Sequence, residues 1–311
     1  MKGMPNGWQL KQRQGLPLEI KEGLTANRIR TWYEYWNSDV YVSFSGGKDS
    51  TVLLDQVRKL YPKVQAVFVD TGLEYPEIRD FVKTIDNVVW LKPKMHFNKV
   101  LEHYGFPAIS KEQAKYIREV QRGTTKYIEN KRRGLIMGKN GYPVGAVSKK
   151  WRYLMDQDKI KISDQCCDVM KKRPIHAFEK KAMLKPFVGT MATDSRLRNQ
   201  SILKYGCNAF GLSSPQSRPL AHWLEKDIWE YIKKHNIEYS KIYDMGYART
   251  GCMFCMFGVH LEKGENRFQR MSRTHPKQYD YCINKLGLGE VLKLIGVDYK
   301  PRPRPKFKKR K

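Results

Sequence analysis

The chain has 311 residues, 41% of them hydrophobic and 12% aromatic, enough apolar side chain for a sizeable core, which excludes a disordered protein. It carries 59 Lys+Arg against 31 Asp+Glu, a formal +28 at pH 7. Such an excess points to a nucleic acid rather than a small nucleotide alone, the alternative being a basic surface that serves solubility. No apolar run approaches the ~20 residues of a membrane span, and residues 1–23 lack the apolar stretch of a signal peptide. A cytoplasmic protein with no membrane partner is expected.

In chain order, residues 1–22 read as a loose basic lead-in, and residues 24–36 as a helix with Ile29, Trp32, Tyr33 and Trp36 on one face. An apolar strand over residues 40–44 runs into Ser45-Gly46-Gly47-Lys48-Asp49-Ser50-Thr51, and an amphipathic run over residues 52–60 leaves it. This is strand, glycine-rich turn, helix. Gly46 and Gly47 are expected to turn with positive φ and to let the backbone approach a ligand. The turn amides and the helix N-terminus then favour a phosphate. Ser43, Ser45, Ser50 and Thr51 offer hydroxyl donors, and Lys48 a charge. The stretch is not a Walker A loop: Val42 stands where that pattern needs its first glycine, and Asp49 where it needs Ser or Thr after the lysine.

The Ser-Gly-Gly-Lys-Asp-Ser run instead resembles the signature of the PP-loop ATP pyrophosphatase superfamily. The resemblance implies a protein that binds ATP with Mg2+, cleaves it between the α- and β-phosphates and adenylates a substrate. Lys48 and Asp49 become candidate catalytic residues, and Ser43, Ser45, Gly46, Gly47, Ser50 and Thr51 candidate nucleotide contacts.

Residues 64–69 form a nearly continuous apolar run, the pattern of a buried parallel strand. It ends in Asp70-Thr71-Gly72-Leu73-Glu74-Tyr75-Pro76, and Pro76 suits the first turn of a helix over residues 77–85. A strand over residues 88–91 and a helix over residues 97–104 follow. Strand alternating with helix predicts an α/β fold with a doubly wound parallel sheet, whose ligands sit at the carboxyl ends of the strands. Asp70 is placed to hold a metal on the phosphates or to bond a ribose; the alternative is an aspartate that caps a turn. The Asp70–Glu77 segment resembles the second motif of the PAPS reductase family, a branch of the same superfamily, and residues 105–111 resemble its third. The resemblance adds Asp70 to the catalytic candidates, and Thr71, Gly72, Ser110 and Lys111 to the nucleotide contacts.

Residues 112–160 depart from that pattern. They form a basic insertion in which Tyr116, Tyr127 and Tyr142 lie among Lys and Arg, a composition suited to a nucleic-acid backbone with occasional stacking or to a solvated helical hairpin. Residues 187–191 resemble a further core strand leading to Arg196 and Arg198, which point to different faces of a helix. At most one faces the site, and Arg196 is the candidate. A helix over residues 223–232 resembles a late supporting helix of the family. The resemblance covers residues 38–258, flanked by the lead-in of residues 1–37 and an extension over residues 259–311. The extension ends in an alternation of proline and basic residues that cannot bury a core and is expected to be disordered when free.

Cys166, Cys167, Cys252 and Cys255 supply four thiolates, the number that ligates an iron–sulfur cube or a zinc. Adjacent cysteines sit awkwardly on one zinc, whereas a cube spreads its ligands over four irons; buried unligated thiols are the remaining alternative. The arrangement resembles the [4Fe-4S] motif of the APS reductase branch. The nucleophilic cysteine segment of the reductases has no counterpart in this sequence, and Cys282 lies in a helical pattern. The resemblance therefore implies an ATP-dependent adenylyltransferase and sulfurtransferase of the phosphorothioation type. It would act on DNA or tRNA and draw sulfur from a donor such as a cysteine desulfurase. The alternatives are an APS/PAPS sulfonucleotide reductase and a non-catalytic nucleic-acid-binding module.

Overall fold

The computed structural model describes residues 7–301. The expectation for the basic tail falls, beyond Pro301, outside the described residues. In chain order the elements are α1 (Gly7–Gln14), α2 (Leu18–Tyr35), β1 (Val40–Ser43), α3 (Lys48–Leu60), β2 (Ala66–Val69), α4 (Pro76–Lys83) and β3 (Val88–Leu91). There follow α5 (Phe97–Tyr104), β4 (Ala108–Ile109), α6 (Lys111–Gln121), α7 (Lys126–Arg133), α8 (Arg173–Ala182) and β5 (Lys185–Val188). Then come α9 (Arg196–Tyr205), β6 (Asn208–Ala209), β7 (Gln216–Ser217), α10 (Glu225–Lys234) and β8 (Met256–Phe257).

The chain divides into two compact units. The first comprises the described residues through Asp70, Glu74–Pro93 and Arg173–Thr250. Its six-stranded sheet has the order β3-β2-β1-β5-β7-β6, parallel throughout except for the β6–β7 pair. The α/β reading of the sequence therefore holds. The strands are short apolar runs because both faces of the central ones are covered: Val40, Tyr41 and Val42 of β1 and Ala66, Val67 and Phe68 of β2 are all buried. The strand order reverses at β1, which has β2 on one side and β5 on the other. Such a switch point leaves a crevice at the carboxyl ends of its two strands. Ser43 pairs with Val188 there, so the chain leaving β1 and the chain leaving β5 start side by side.

The described part of the lead-in, from Gly7, is not loose. It forms α1 and α2, which bury Leu10, Leu18, Ile29 and Trp32. The charge of Lys21 is wholly buried, 2.5 Å from Asp227, and also bonds the Gln14 carbonyl at 2.8 Å. Asp227 in turn accepts the Leu224 N–H at 2.7 Å, closing the N-terminus of α10. Breaking one partner of such a pair strands the other charge. Asp227→Ala is expected to lower the unfolding free energy by about 3–5 kcal/mol, read as a fall in the urea midpoint; an unchanged midpoint would refute the burial of this pair.

The second unit comprises Thr71–Leu73, Lys94–Lys172 and the described residues from Gly251. It holds the predicted insertion, which forms the hairpin of α6 and α7. Ser110 and Thr125 cap the two helices through their side chains, and Gly134 ends α7 in the left-handed region. Arginines that the composition offers to a nucleic acid are here tied to carboxylates: Arg118 to Asp164 at 2.8 Å, Arg132 to Glu119 at 2.7 Å, and Arg133 to Asp156 at 2.7 Å. The short parallel pair β4–β8 aligns Ala108 with Met256 and Ile109 with Phe257. Among the described residues no helix is long and apolar enough to cross a membrane.

Candidate functional site

A cavity of about 550 Å³ lies in the first unit, where the loops leaving β1 and β5 meet. Ser43, Ser45, Gly47, Lys48, Asp49 and Ser50 line one wall, and Gly189, Thr190 and Asp194 another. The loop is held by its own hydroxyls. Ser50 and Thr51 donate to the Gly47 carbonyl at 2.8 and 3.1 Å, and Ser50 Oγ accepts the Ser45 N–H at 3.2 Å. Thr51 therefore braces the loop from behind and does not line the cavity, contrary to the sequence expectation.

The two glycines divide their tasks. Only Gly46 has a positive φ, +70°, and a Cβ there would meet Val82 Cγ2 at 2.7 Å and Ile78 Cγ2 at 2.9 Å. It is a turn and packing residue. Gly47 has ordinary extended backbone, φ −83° and ψ 153°, as the N-cap of α3. A Cβ on it would lie 2.8 Å from Thr250 Oγ1 and 3.3 Å from the Tyr243 hydroxyl. Its missing side chain keeps the mouth of the loop open. Gly189 does the same for the opposite wall, where a Cβ would sit 3.1 Å from the Asp49 carbonyl.

Lys48 is buried, with Nζ 3.0 Å from Asp49 and 3.4 Å from Glu225. Burial opposes its charge, but Asp49, Tyr243 and Glu225 outweigh burial and raise its pKa. It is a fixed cation. The Asp49 carboxyl is raised by burial first and, against the pull of Lys48, by Asp194 and Glu225. Lys48, Arg198 and Arg249 thus face Asp49, Asp194 and Glu225 around one cavity. A phosphate group fits the cations and the α3 N-terminus. A divalent cation beside it would relieve the mutual repulsion of the carboxylates. Among the described residues, no group of three or more His, Cys, Asp or Glu is already arranged to hold a metal ion.

Arg198, rather than Arg196, lines the cavity, and its Nη1 lies 2.7 Å from Asp194. Ser195 sets this by capping α9 through the Arg198 N–H at 3.2 Å. Asp70 does not line the cavity either, and its carboxylate takes Arg79 at 2.8 Å. Thr71, Gly72, Ser110 and Lys111 belong to the second unit. Sequence reading missed Tyr243, whose hydroxyl accepts the Lys48 N–H at 2.8 Å. It also missed Asp194, Glu225, Arg249 and Thr250. Glu225 opens the helix expected only to support, and no local pattern marks it. Replacing Arg198 with Ala is expected to weaken nucleotide affinity about tenfold, the cost of one charge-assisted bond. Arg196→Ala is expected to leave it unchanged; calorimetric titration distinguishes the two.

The four expected metal-site cysteines all lie in the second unit. The parallel β4–β8 register continues Cys255, one residue before β8, opposite Pro107, one residue before β4. The Cys255 N–H bonds the Cys252 carbonyl at 3.1 Å, and the Met253 N–H bonds the Leu73 carbonyl at 2.7 Å. Ile109, buried and β-branched, is held at φ +69° at the end of β4, in register with Phe257 of β8, a strain of about 1–3 kcal/mol of the kind that collects at functional sites. Burial pushes the Cys166 thiol up, and Cys252, Cys167 and Cys255 add to the rise. Cys255 is likewise raised by burial first, against pulls from Arg267 and Lys111. Two buried thiols, Cys166 and Cys255, that resist ionising near further sulfur suit a centre that supplies positive charge, although among the described residues the cysteines are not already grouped as metal ligands.

The sequence pattern of the phosphoadenosine phosphosulfate reductase domain matches residues 39–139 and 110–257. The chain belongs to this family. Its glycine-rich loop is therefore a PP-loop, and the members of the family that bear functional names are enzymes. An uncharacterized protein of Methanocaldococcus jannaschii is 26% identical over 269 residues, 83% of this chain and 43% of that protein. The chain thus spans less than half the length of that relative. An adenosine 5'-phosphosulfate reductase of Anoxybacillus flavithermus is 24% identical over 261 residues, 82% of this chain and 89% of the relative. The crystal structure of phosphoadenylyl-sulfate reductase from Candida auris aligns with a TM-score of 0.41 at 15% identity, covering 80% of this chain and 96% of that one.

Proposed function

We propose that this PAPS reductase family member is an ATP-using enzyme that adenylates its substrate and transfers sulfur to a nucleic acid. The observation that carries the reading is the complete Ser45-Gly46-Gly47-Lys48-Asp49-Ser50 loop, all of it but the turn residue Gly46 lining a cavity of about 550 Å³, a volume in the range of small-molecule sites. In this reading Lys48 and the α3 amides hold the phosphates, and Arg198 and Arg249 offset charge as pyrophosphate leaves. Asp49, Asp194 and Glu225 are the side chains that would hold Mg2+, which screens the phosphates when bound. An oxygen of the acceptor attacks the α-phosphorus, and pyrophosphate carries away the bonding pair. A sulfur nucleophile from a donor such as a cysteine desulfurase then displaces AMP.

Cys166, Cys167, Cys252 and Cys255 would hold a [4Fe-4S] cluster, which supplies a redox or sulfur-binding centre. The basic composition supports a polyanionic acceptor, DNA or tRNA.

A second reading, a sulfonucleotide reductase, is favoured by relatives named adenosine 5'-phosphosulfate reductase. Against it, Cys282, which lies outside the quartet, is fully buried, and burial pushes its thiol up to about 12. It is a poor nucleophile. The test is anaerobic incubation with ATP, a sulfide donor and tRNA or DNA, followed by pyrophosphate assay and mass spectrometry of the nucleosides. ATP-dependent sulfur incorporation supports the first reading. Sulfite release from APS or PAPS, with no pyrophosphate from ATP, replaces it with the second.

A further inference from the structure

The second unit has a hollow of about 500 Å³ of its own. Three cations, Lys159, Lys161 and Lys285, line it with two aromatic rings, Phe106 and Tyr281. The carboxylate in the wall, Glu102, is paired with Lys99 at 2.8 Å, and among the described residues no carboxylate lies within ion-pairing distance of the three lysines. Tyr281 is 48% exposed, a large ring held at the surface.

The hollow is built by the fold. Phe106 bonds through its N–H to the Lys161 carbonyl at 2.7 Å, and its own carbonyl accepts the Ser163 N–H at 2.9 Å. This bridge buries Ile162 and leaves Lys161 exposed. Gly105 permits the approach: at φ +103°, a Cβ there would meet the Lys161 carbonyl oxygen at 2.4 Å. Tyr281 and Lys285 are the two ends of a single π-helical turn, Tyr281–Lys285. The ring of Tyr281 also lies 6.2 Å from that of Phe254, the residue beside Cys255. The hollow is thus joined by direct packing to the segment that carries two of the four cysteines.

Unpaired lysines around an exposed aromatic ring match the chemistry of a single nucleic-acid strand, phosphates on the cations and a base against the ring. We propose that this hollow is where the nucleic-acid acceptor docks as a single strand, with one base stacked on Tyr281 and adjoining phosphates on Lys159, Lys161 and Lys285. The inference rests on the reading of the chain as a nucleic-acid-modifying enzyme and locates the acceptor's footprint on it. An acidic peptide would use the lysines but not the ring.

The test is fluorescence anisotropy of the full chain with labelled oligouridylate and oligodeoxythymidylate across a salt series. Tyr281→Ala is expected to weaken binding about tenfold, the effect of losing one stacked base, and Tyr281→Phe to restore it. Replacing all three lysines with Ala is expected to lower the slope of log K against log salt by about 2, at ~0.7 per single-strand phosphate contact. ATP affinity and iron content should not change in any of these variants. Wild-type affinity and slope in every variant would place the strand elsewhere and overturn the docking site while leaving the proposed function standing. Equal affinity for polyglutamate, competing for the hollow, would overturn the strand as its occupant. Failure of the wild-type chain to bind either oligonucleotide at low salt would instead remove the nucleic-acid acceptor itself.

Discussion

Gly47→Val is expected to abolish measurable ATP binding, a loss of at least about a hundredfold, while the protein stays folded. The backbone at Gly47, φ −83° and ψ 153°, is one that valine adopts without strain. The obstacle is steric: a Cβ there already lies 2.8 Å from Thr250 Oγ1 and 3.3 Å from Ser45 Oγ, and the γ-methyls would extend from it into the mouth of the loop. A phosphate would lose its approach to the loop amides, and two charge-assisted contacts at about 1.5–3 kcal/mol each account for the loss. Gly46→Ala provides the contrast. Its positive φ and its contacts with Ile78 and Val82 make that substitution a stability defect first. Calorimetry with ATP and thermal unfolding of both variants measure this. A folded Gly47→Val protein with unaltered ATP affinity would remove the nucleotide from this cavity.

If the four cysteines hold the proposed metal centre, Cys255→Ser is expected to strip it. Anaerobically prepared wild-type protein should be brown, with about four irons and four sulfides per chain if the centre is a cube. Serine keeps the size of the side chain and the turn in which the residue-255 N–H bonds the Cys252 carbonyl, but removes the soft ligand. The iron content should fall several-fold. ATP affinity should remain, because every residue lining the nucleotide cavity belongs to the first unit and Cys255 to the second. Iron and sulfide analysis beside the visible spectrum decides this. One zinc per chain and no iron would replace the cluster with a structural ion.

The phosphate loop was legible in the sequence because its parts are consecutive: the strand, the turn glycines and the helix start all fall within residues 40–60. The C-x-x-C turn was legible for the same reason. The alternation of buried strands with amphipathic helices announced the parallel sheet, since hydrophobic periodicity is a local property. What stayed hidden depends on residues far apart in the chain. The lead-in looked unstructured because the partner of Lys21 is Asp227, 206 residues away.

Which residues complete the nucleotide cavity was likewise a tertiary decision. Pairing of β1 with β5 sets Ser43 beside Val188 and so brings Asp194 and Arg198 to the loop. The path through α10 then adds Glu225 and Tyr243. The choice of Arg198 over Arg196 followed from the Ser195 cap, which fixes the phase of α9, and helical phase alone decides which side chain faces a given wall. The sequence by itself determined the loop, the adjacent cysteine pair, the C-x-x-C turn and the alternation of strand with helix, each of which depends on near neighbours. The tertiary structure alone decided which charges meet in one cavity, because burial and electrostatics depend on distance in space.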